Sequence, residues 1–218
     1  MSRTEDTSRL YRPVGLKELE LILEAKGRAF PPRLPSQPIF YPVLNAIYAA
    51  QIAQRWSPSD EASGYAGFVT EFDVAADFVR PYEVQTVGAS NHQELWIPAA
   101  QLPEFNKSLR SPIRVTHAFY GAAYQGPAPL PTMLKGVPLR RQLKLLDELA
   151  AHHAMDFACE ISANLQLVFC NFGWWGSAPD QDQELAPGQR AKVLTAIRLA
   201  WGKRNEEFPL IESAELVG

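Results

Sequence analysis

Cysteine is nearly missing from this chain: Cys159 and Cys170 are its only two among 218 residues. Two cysteines build no disulfide framework, and their spacing is not that of a zinc site. Both are expected to be reduced, buried thiols of a cytoplasmic protein. Excess positive charge is missing as well. With a net charge of -3 there is no general basic field for nucleic acid, although a local patch fits that balance. No apolar run reaches spanning length, so no membrane segment is expected, and no N-terminal signal peptide. There is no phosphate loop of Walker or Rossmann type, and Ser177 has no nucleophile setting. Internal repeats and low-complexity tracts are absent, which excludes repeat architectures.

What remains has the balance of a globular protein, with 46% hydrophobic and 21% charged residues. The length suits one large domain, or one domain with a helical extension. The 18 prolines point to many short elements joined by tight connections. Residues 1–8 make a short, polar start and are expected to fray. Residues 10–14 read as a strand, at an edge or ending at Pro13. Leu16, Leu19, Ile22 and Leu23 share one helical face, and Gly27 stops that helix. Residues 30–38 carry four prolines and form an irregular loop. Residues 39–41 form a short strand stopped by Pro42. Asn45 caps a helix carrying Ile47, Tyr48, Ile52 and Trp56.

Phe68, Phe72 and Val74 share one strand face, with Glu71 and Asp73 on the other. Residues 84–87 form the next strand. His92-Gln93-Glu94-Leu95-Trp96-Ile97-Pro98 reads as one strand ending at its proline, with Leu95 and Ile97 on one face and Glu94 and Trp96 on the other. A short helix or turn is expected at residues 102–109. Ile113, Val115, His117 and Phe119 alternate as a final strand. Residues 121–138 read as a linker or a wrapping loop. Leu139, Leu143, Leu146, Ala150 and His153 make a helical stripe. Residues 165–172 read as a strand closed by Gly173-Trp174-Trp175-Gly176, and Val193, Ile197 and Trp201 mark a last amphipathic helix. The expected fold is α+β: a small, mostly antiparallel sheet of short strands flanked by helices. Residues 1–120 form the α+β region, and the mainly helical residues 121–218 pack on it as one compact unit.

The chemistry concentrates in the first 120 residues. Arg12 closes one strand, Phe40 and Tyr41 close a second, and Glu94 lies on a later one. Were these strands neighbours, a cation, an aromatic platform and a carboxylate would line one cleft. Arg12 could hold phosphate or ribose oxygens through its planar fork, and Tyr41 could stack on a flat heterocycle. Glu94 could accept a bond from a ribose hydroxyl and stabilise an oxocarbenium-like centre. The plainer readings are an Arg12 surface ion pair, core roles for Phe40 and Tyr41, a Trp96 that covers the sheet, and solvated positions for His92 and Glu94. His152, Asp156 and Glu160 recur at every fourth position. They read as a metal-binding face or, more plainly, as a surface ion cluster.

In order and spacing, the Leu10-Tyr11-Arg12, Phe40-Tyr41-Pro42 and Glu94-Leu95-Trp96-Ile97-Pro98 segments resemble the ADP-ribosyltransferase superfamily over residues 9–120. The whole chain is also similar to a family of stand-alone bacterial proteins loosely labelled with ADP-ribosylation. The resemblance implies NAD as substrate: Arg12 holding it, Tyr41 stacking at the nicotinamide end, and Glu94 bonding the nicotinamide ribose and promoting loss of nicotinamide. Phe40, His92 and Trp96 complete the implied NAD site, which contains no metal. Phe40-Tyr41-Pro42 stands where the family carries Ser-Thr-Ser. His92 stands where many protein-modifying members carry Glu or Gln, which argues against arginine modification. The expected activity is therefore ADP-ribosyl transfer to an unknown acceptor or NAD glycohydrolysis. The alternatives are a non-catalytic relative that binds a partner, as a regulatory or immunity module, and a small-molecule binding protein. The catalytic reading requires Arg12, Tyr41 and Glu94 to face one open pocket. The partner-binding reading requires a filled cleft and an exposed apolar patch, with Trp174 and Trp175 as its candidates.

Overall fold

The computed structural model describes residues 6–202, 205 and 207–217. Strand β1 spans Thr7–Gly15, so Thr7 and Ser8 are ordered into the sheet; the rest of the expected frayed tail, residues 1–5, lies outside the described residues. Helix α1 (Leu16–Glu24) buries Leu19 and Ile22. It stops at Gly27, whose φ of 61° is left-handed and whose amide bonds the Ile22 carbonyl at 2.8 Å. After the proline-rich loop come β2 (Ile39–Phe40) and α2 (Ala46–Arg55). The Asn45 side chain accepts from the Tyr48 amide at 2.8 Å, satisfying an orphan donor of α2.

Next are β3 (Ala66–Ala75), α3 (Ala76–Val79), β4 (Val84–Thr86), β5 (Gln93–Leu95) and β6 (Ile97–Pro98). The single strand expected at residues 92–98 is thus two short ones that take different partners. β5 pairs with β4, and β6 with β2. The expected facing holds: Leu95 and Ile97 are buried, and Trp96 is exposed. Then follow α4 (Leu102–Ser108), β7 (Arg114–Gly121), α5 (Leu139–His152), α6 (Ala154–Ala163), α7 (Leu165–Ser177), α8 (Gln189–Gly202) and β8 (Ala214–Val217).

The main sheet has the order β1-β3-β7-β8. β1 and β7 flank β3 in antiparallel pairing, and β8 runs parallel to β7. The fold is α+β with a small, mostly antiparallel sheet. On one face α2 covers a small core of Val43, Tyr48, Ala49, Ala53, Val69 and Phe119. The other face carries the main core, which runs from Leu10, Phe68 and Phe72 through Tyr120 to Leu143, Phe169 and Trp175. Fully burying one such side chain contributes about 1.5–3 kcal/mol, so this shared core holds the helical part against the sheet.

Four local expectations are corrected. Residues 165–172 are helical: the unbroken apolar run is buried nearly all round in α7, and periodicity alone does not separate that from a buried strand. Trp175 is fully buried and Trp174 packs against the core, so neither forms an exposed patch. β7 is not the final strand, because β8 adds to its edge. A bulge between Val69 and Thr70 also shifts its register, which turns Val115 toward the main core while Phe119 faces α2. Cys159 is exposed and only Cys170 is buried.

The helical stripe breaks at His153, which is exposed and separates α5 from α6. His152 therefore leaves the helix that carries Asp156 and Glu160. Among the described residues no group of three His, Cys, Asp or Glu is placed to hold a metal ion. No helix among them is long and apolar enough to cross a membrane.

Candidate functional site

Beyond β1 the sheet is continued by residues 42–44. Tyr11 and Val43 exchange backbone bonds at 2.9 and 2.8 Å, and the Leu95 amide donates to the Pro42 carbonyl at 2.9 Å. Tyr11, Val43 and Glu94 therefore stand in one row across neighbouring strands. Val43 belongs to the core under α2, so this row faces that helix. Alternation along β1 sends Arg12 to the opposite face with Leu10 and Val14.

Glu94 is held from two sides. Tyr48 Oη donates to its Oε1 at 2.7 Å, and Trp96 Nε1 donates to its Oε2 at 3.0 Å. Each carboxylate oxygen can accept a second bond, so the group keeps capacity for a ligand hydroxyl. Burial, and secondly the bond to Glu94, push the Tyr48 hydroxyl up to about 12, so it stays protonated and donating at neutral pH. The His92 ring lies flat on Tyr48, with centroids 4.2 Å apart and planes at 11°. Its ring nitrogens face Gln51 Oε1 at 3.1 Å and the Val87 carbonyl at 3.2 Å.

The outer wall is aromatic. Trp96 is 47% exposed and Tyr41 38% exposed. Their rings meet edge to face at 6.0 Å. Ile47, on the first turn of α2, is 67% exposed.

Arg12 and Phe40 are not part of this arrangement. Arg12 is only 6% exposed. Its Nε and Nη2 bond the two Glu18 oxygens at 2.8 and 3.2 Å, and its Nη1 donates to the Tyr41 carbonyl at 3.2 Å. The guanidinium carbon sits 4.6 Å over the Phe40 ring, which is itself fully buried. The structure thus brings His92, Glu94, Trp96 and the Tyr41 ring together, whereas Arg12 reaches only the Tyr41 backbone and packs on the buried Phe40.

Glu94 lines neither of two clefts in the molecule. One of about 540 Å³ borders Arg9, Leu10, Leu44, Tyr82 and Leu95. Another of about 790 Å³ opens between Leu23, Lys26, Leu165, Trp201 and Phe208. The larger cleft also gathers Glu24, Lys26, Arg28, Gln166, Trp201 and Phe208; Glu94 differs in having a carboxylate fixed by two side-chain donors beside exposed rings.

Sequence reading did not single out Tyr48 as a site residue. It lies 46 positions from the carboxylate it bonds, and nothing in local periodicity records that pairing. The one legible signal was Asn45, whose cap fixes the start of α2 and with it the phase of Tyr48. Compared with known proteins, the chain matches no family model, no curated protein and no solved structure.

Proposed function

We propose that the Glu94 face binds the nicotinamide-ribose end of NAD, and that the chain breaks its N-glycosidic bond. ADP-ribose then passes to an acceptor or to water. The supporting observation is the Glu94 carboxylate itself: fixed by Tyr48 and Trp96, still able to accept, and flanked by the exposed Trp96 and Tyr41 rings. In this reading a ribose hydroxyl donates to Glu94 while an exposed ring stacks on the flat heterocycle. The C–N bond breaks with its electron pair leaving on nicotinamide, and positive charge develops on the ribose carbon. The fixed carboxylate stabilises that charge without reorganising. Water or the acceptor then attacks the carbon and loses a proton to solvent. The two free thiols are consistent with a cytoplasmic setting.

A second reading, a non-catalytic module that binds a partner protein, is favoured by Arg12. Its engagement with Glu18 and the Tyr41 carbonyl removes the cation that the catalytic reading assigned to NAD.

Nicotinamide release and NAD affinity of the wild type and Glu94→Gln decide between them. The substitution preserves shape and removes charge, so turnover should fall about a hundred- to thousandfold, or about 2.7–4 kcal/mol of barrier, while affinity changes little. A wild-type protein that neither binds NAD nor releases nicotinamide leaves the partner-binding module. Normal turnover by Glu94→Gln removes Glu94 from the chemistry.

A further inference from the structure

The proline-rich loop between α1 and β2 holds a second cation near Arg12. Arg33 has a side chain only 12% exposed, and its Nη1 lies 3.8 Å from Glu18 Oε2. That carboxylate is already gripped at both oxygens by Arg12. The Arg33 Nε is buried and has no hydrogen-bond partner. Two guanidinium groups therefore share one carboxylate, and the group of three carries a net positive charge. Burial and the neighbouring Arg12 both push the Arg33 pKa down, against the pull of Glu18 and Tyr41.

A withdrawn, fork-shaped donor without an acceptor fits an ordered anion. The prolines at 31, 32 and 35 stiffen the backbone that carries it, so little ordering is required on binding. Glu18 orients Arg12, and Arg12 in turn repels Arg33, so an anion at the exposed part of the Arg33 fork relieves that repulsion.

We propose that Arg33, backed by Arg12, forms a binding site for a phosphoryl group of a small ligand. The site lies apart from Glu94, because Arg12 occupies the opposite face of β1, and it does not depend on the NAD reading. Tyr41 connects the two places: its carbonyl accepts from Arg12, and its ring meets Trp96 beside Glu94.

The test is calorimetric titration of the full chain with inorganic phosphate, pyrophosphate and ADP-ribose, at ionic strength held constant with chloride. The wild type should bind pyrophosphate, and Arg33→Gln should bind it about tenfold or more weakly, as expected for a lost charge-assisted bond. Arg33→Lys keeps the charge but not the fork and should recover only part of the affinity. Glu94→Gln should bind pyrophosphate as the wild type does. Tighter binding of ADP-ribose than of pyrophosphate assigns the phosphoryl group to a nucleotide; equal binding assigns it to a free anion, and the site stands in both cases. A wild type that ignores pyrophosphate, or an Arg33→Gln that binds it normally while melting as the wild type does, overturns the proposal. Nicotinamide release with no effect of Arg33→Gln on phosphate binding would leave the Glu94 reading intact and remove this one alone.

Discussion

Glu160 in the helical region and Arg33 in the α+β region are both charged side chains withdrawn from water, and their surroundings differ. Glu160 is 4% exposed. Its Oε1 accepts from the Met133 amide at 3.0 Å and its Oε2 from Asn164 Nδ2 at 3.1 Å. Asn164 in turn accepts from the Leu130 amide and donates to Thr132. Nearby, Asn171 bonds Gln142, and Tyr124 bonds Asn171. The helical region thus ties the wrapping loop to α6 and α7 with polar groups that satisfy one another. Trp175 Nε1 and Gln183 Oε1 are unpartnered there, but both are neutral, and Asp180 lies 3.0 Å from Arg190. Arg33 is the exception, a withdrawn cation with an open donor. Closed networks rigidify a fold. An open charged group is costly unless something else completes it, which favours ligand chemistry at the Arg33 loop over the helices.

The largest expected effect separates the two arginines. Arg12→Leu leaves Glu18 with only the 3.8 Å contact to Arg33 and also strips the Tyr41 carbonyl of its donor. Urea unfolding should show a loss of about 3 kcal/mol, the scale for breaking one side of a buried ion pair. Arg33→Leu, which removes an incompletely paired charge, should cost far less. Equal costs would mean that Arg33 is as fully engaged as Arg12, and the contrast between open and closed groups would fail.

A smaller effect is expected in the helical region. Glu160→Gln places an amide NH₂ where an oxygen now faces a donor, either the Met133 amide or Asn164 Nδ2. One buried bond is lost, at about 1–3 kcal/mol. The wrapping loop should loosen first, so limited proteolysis should cut near Thr132 and Met133 sooner than in the wild type. Unchanged stability and cleavage would show that the network does not hold the loop.

Much of the fold was legible in local pattern. The Asn45 cap, the Gly27 stop, the Phe68-Phe72-Val74 face and the α8 stripe each depend on neighbours within a turn or two. What failed depended on distant partners. Residues 165–172 looked like a strand because burial on all sides erases periodicity. β8 is short, and it is a strand only because the edge of β7 lies beside it. At the site, Glu94, Trp96 and Tyr41 were legible as a carboxylate among rings. The face of Arg12 was not, because it depends on residues 42–44 inserting between β1 and β5, which makes Tyr11 the strand neighbour of the Glu94 row.

The finest test concerns Tyr48 alone. Its hydroxyl is pushed from an ordinary value of 10 to about 12, chiefly by burial and then by the bond to Glu94. A raised value in the folded state means that folding favours the protonated phenol. That contribution is complete below pH 10 and is lost as pH rises from 10 toward 12. Burial also raises Tyr11, Tyr82, Tyr120 and Tyr124, so the signal must be the tyrosinate absorbance of the wild type minus that of Tyr48→Phe. This difference should titrate near pH 12. In a Glu94→Gln background it should move down only part of the way, since burial, the larger cause, remains. A difference signal at pH 10 in the wild type would place Tyr48 in water, free of Glu94, and the carboxylate would lose one of its two donors.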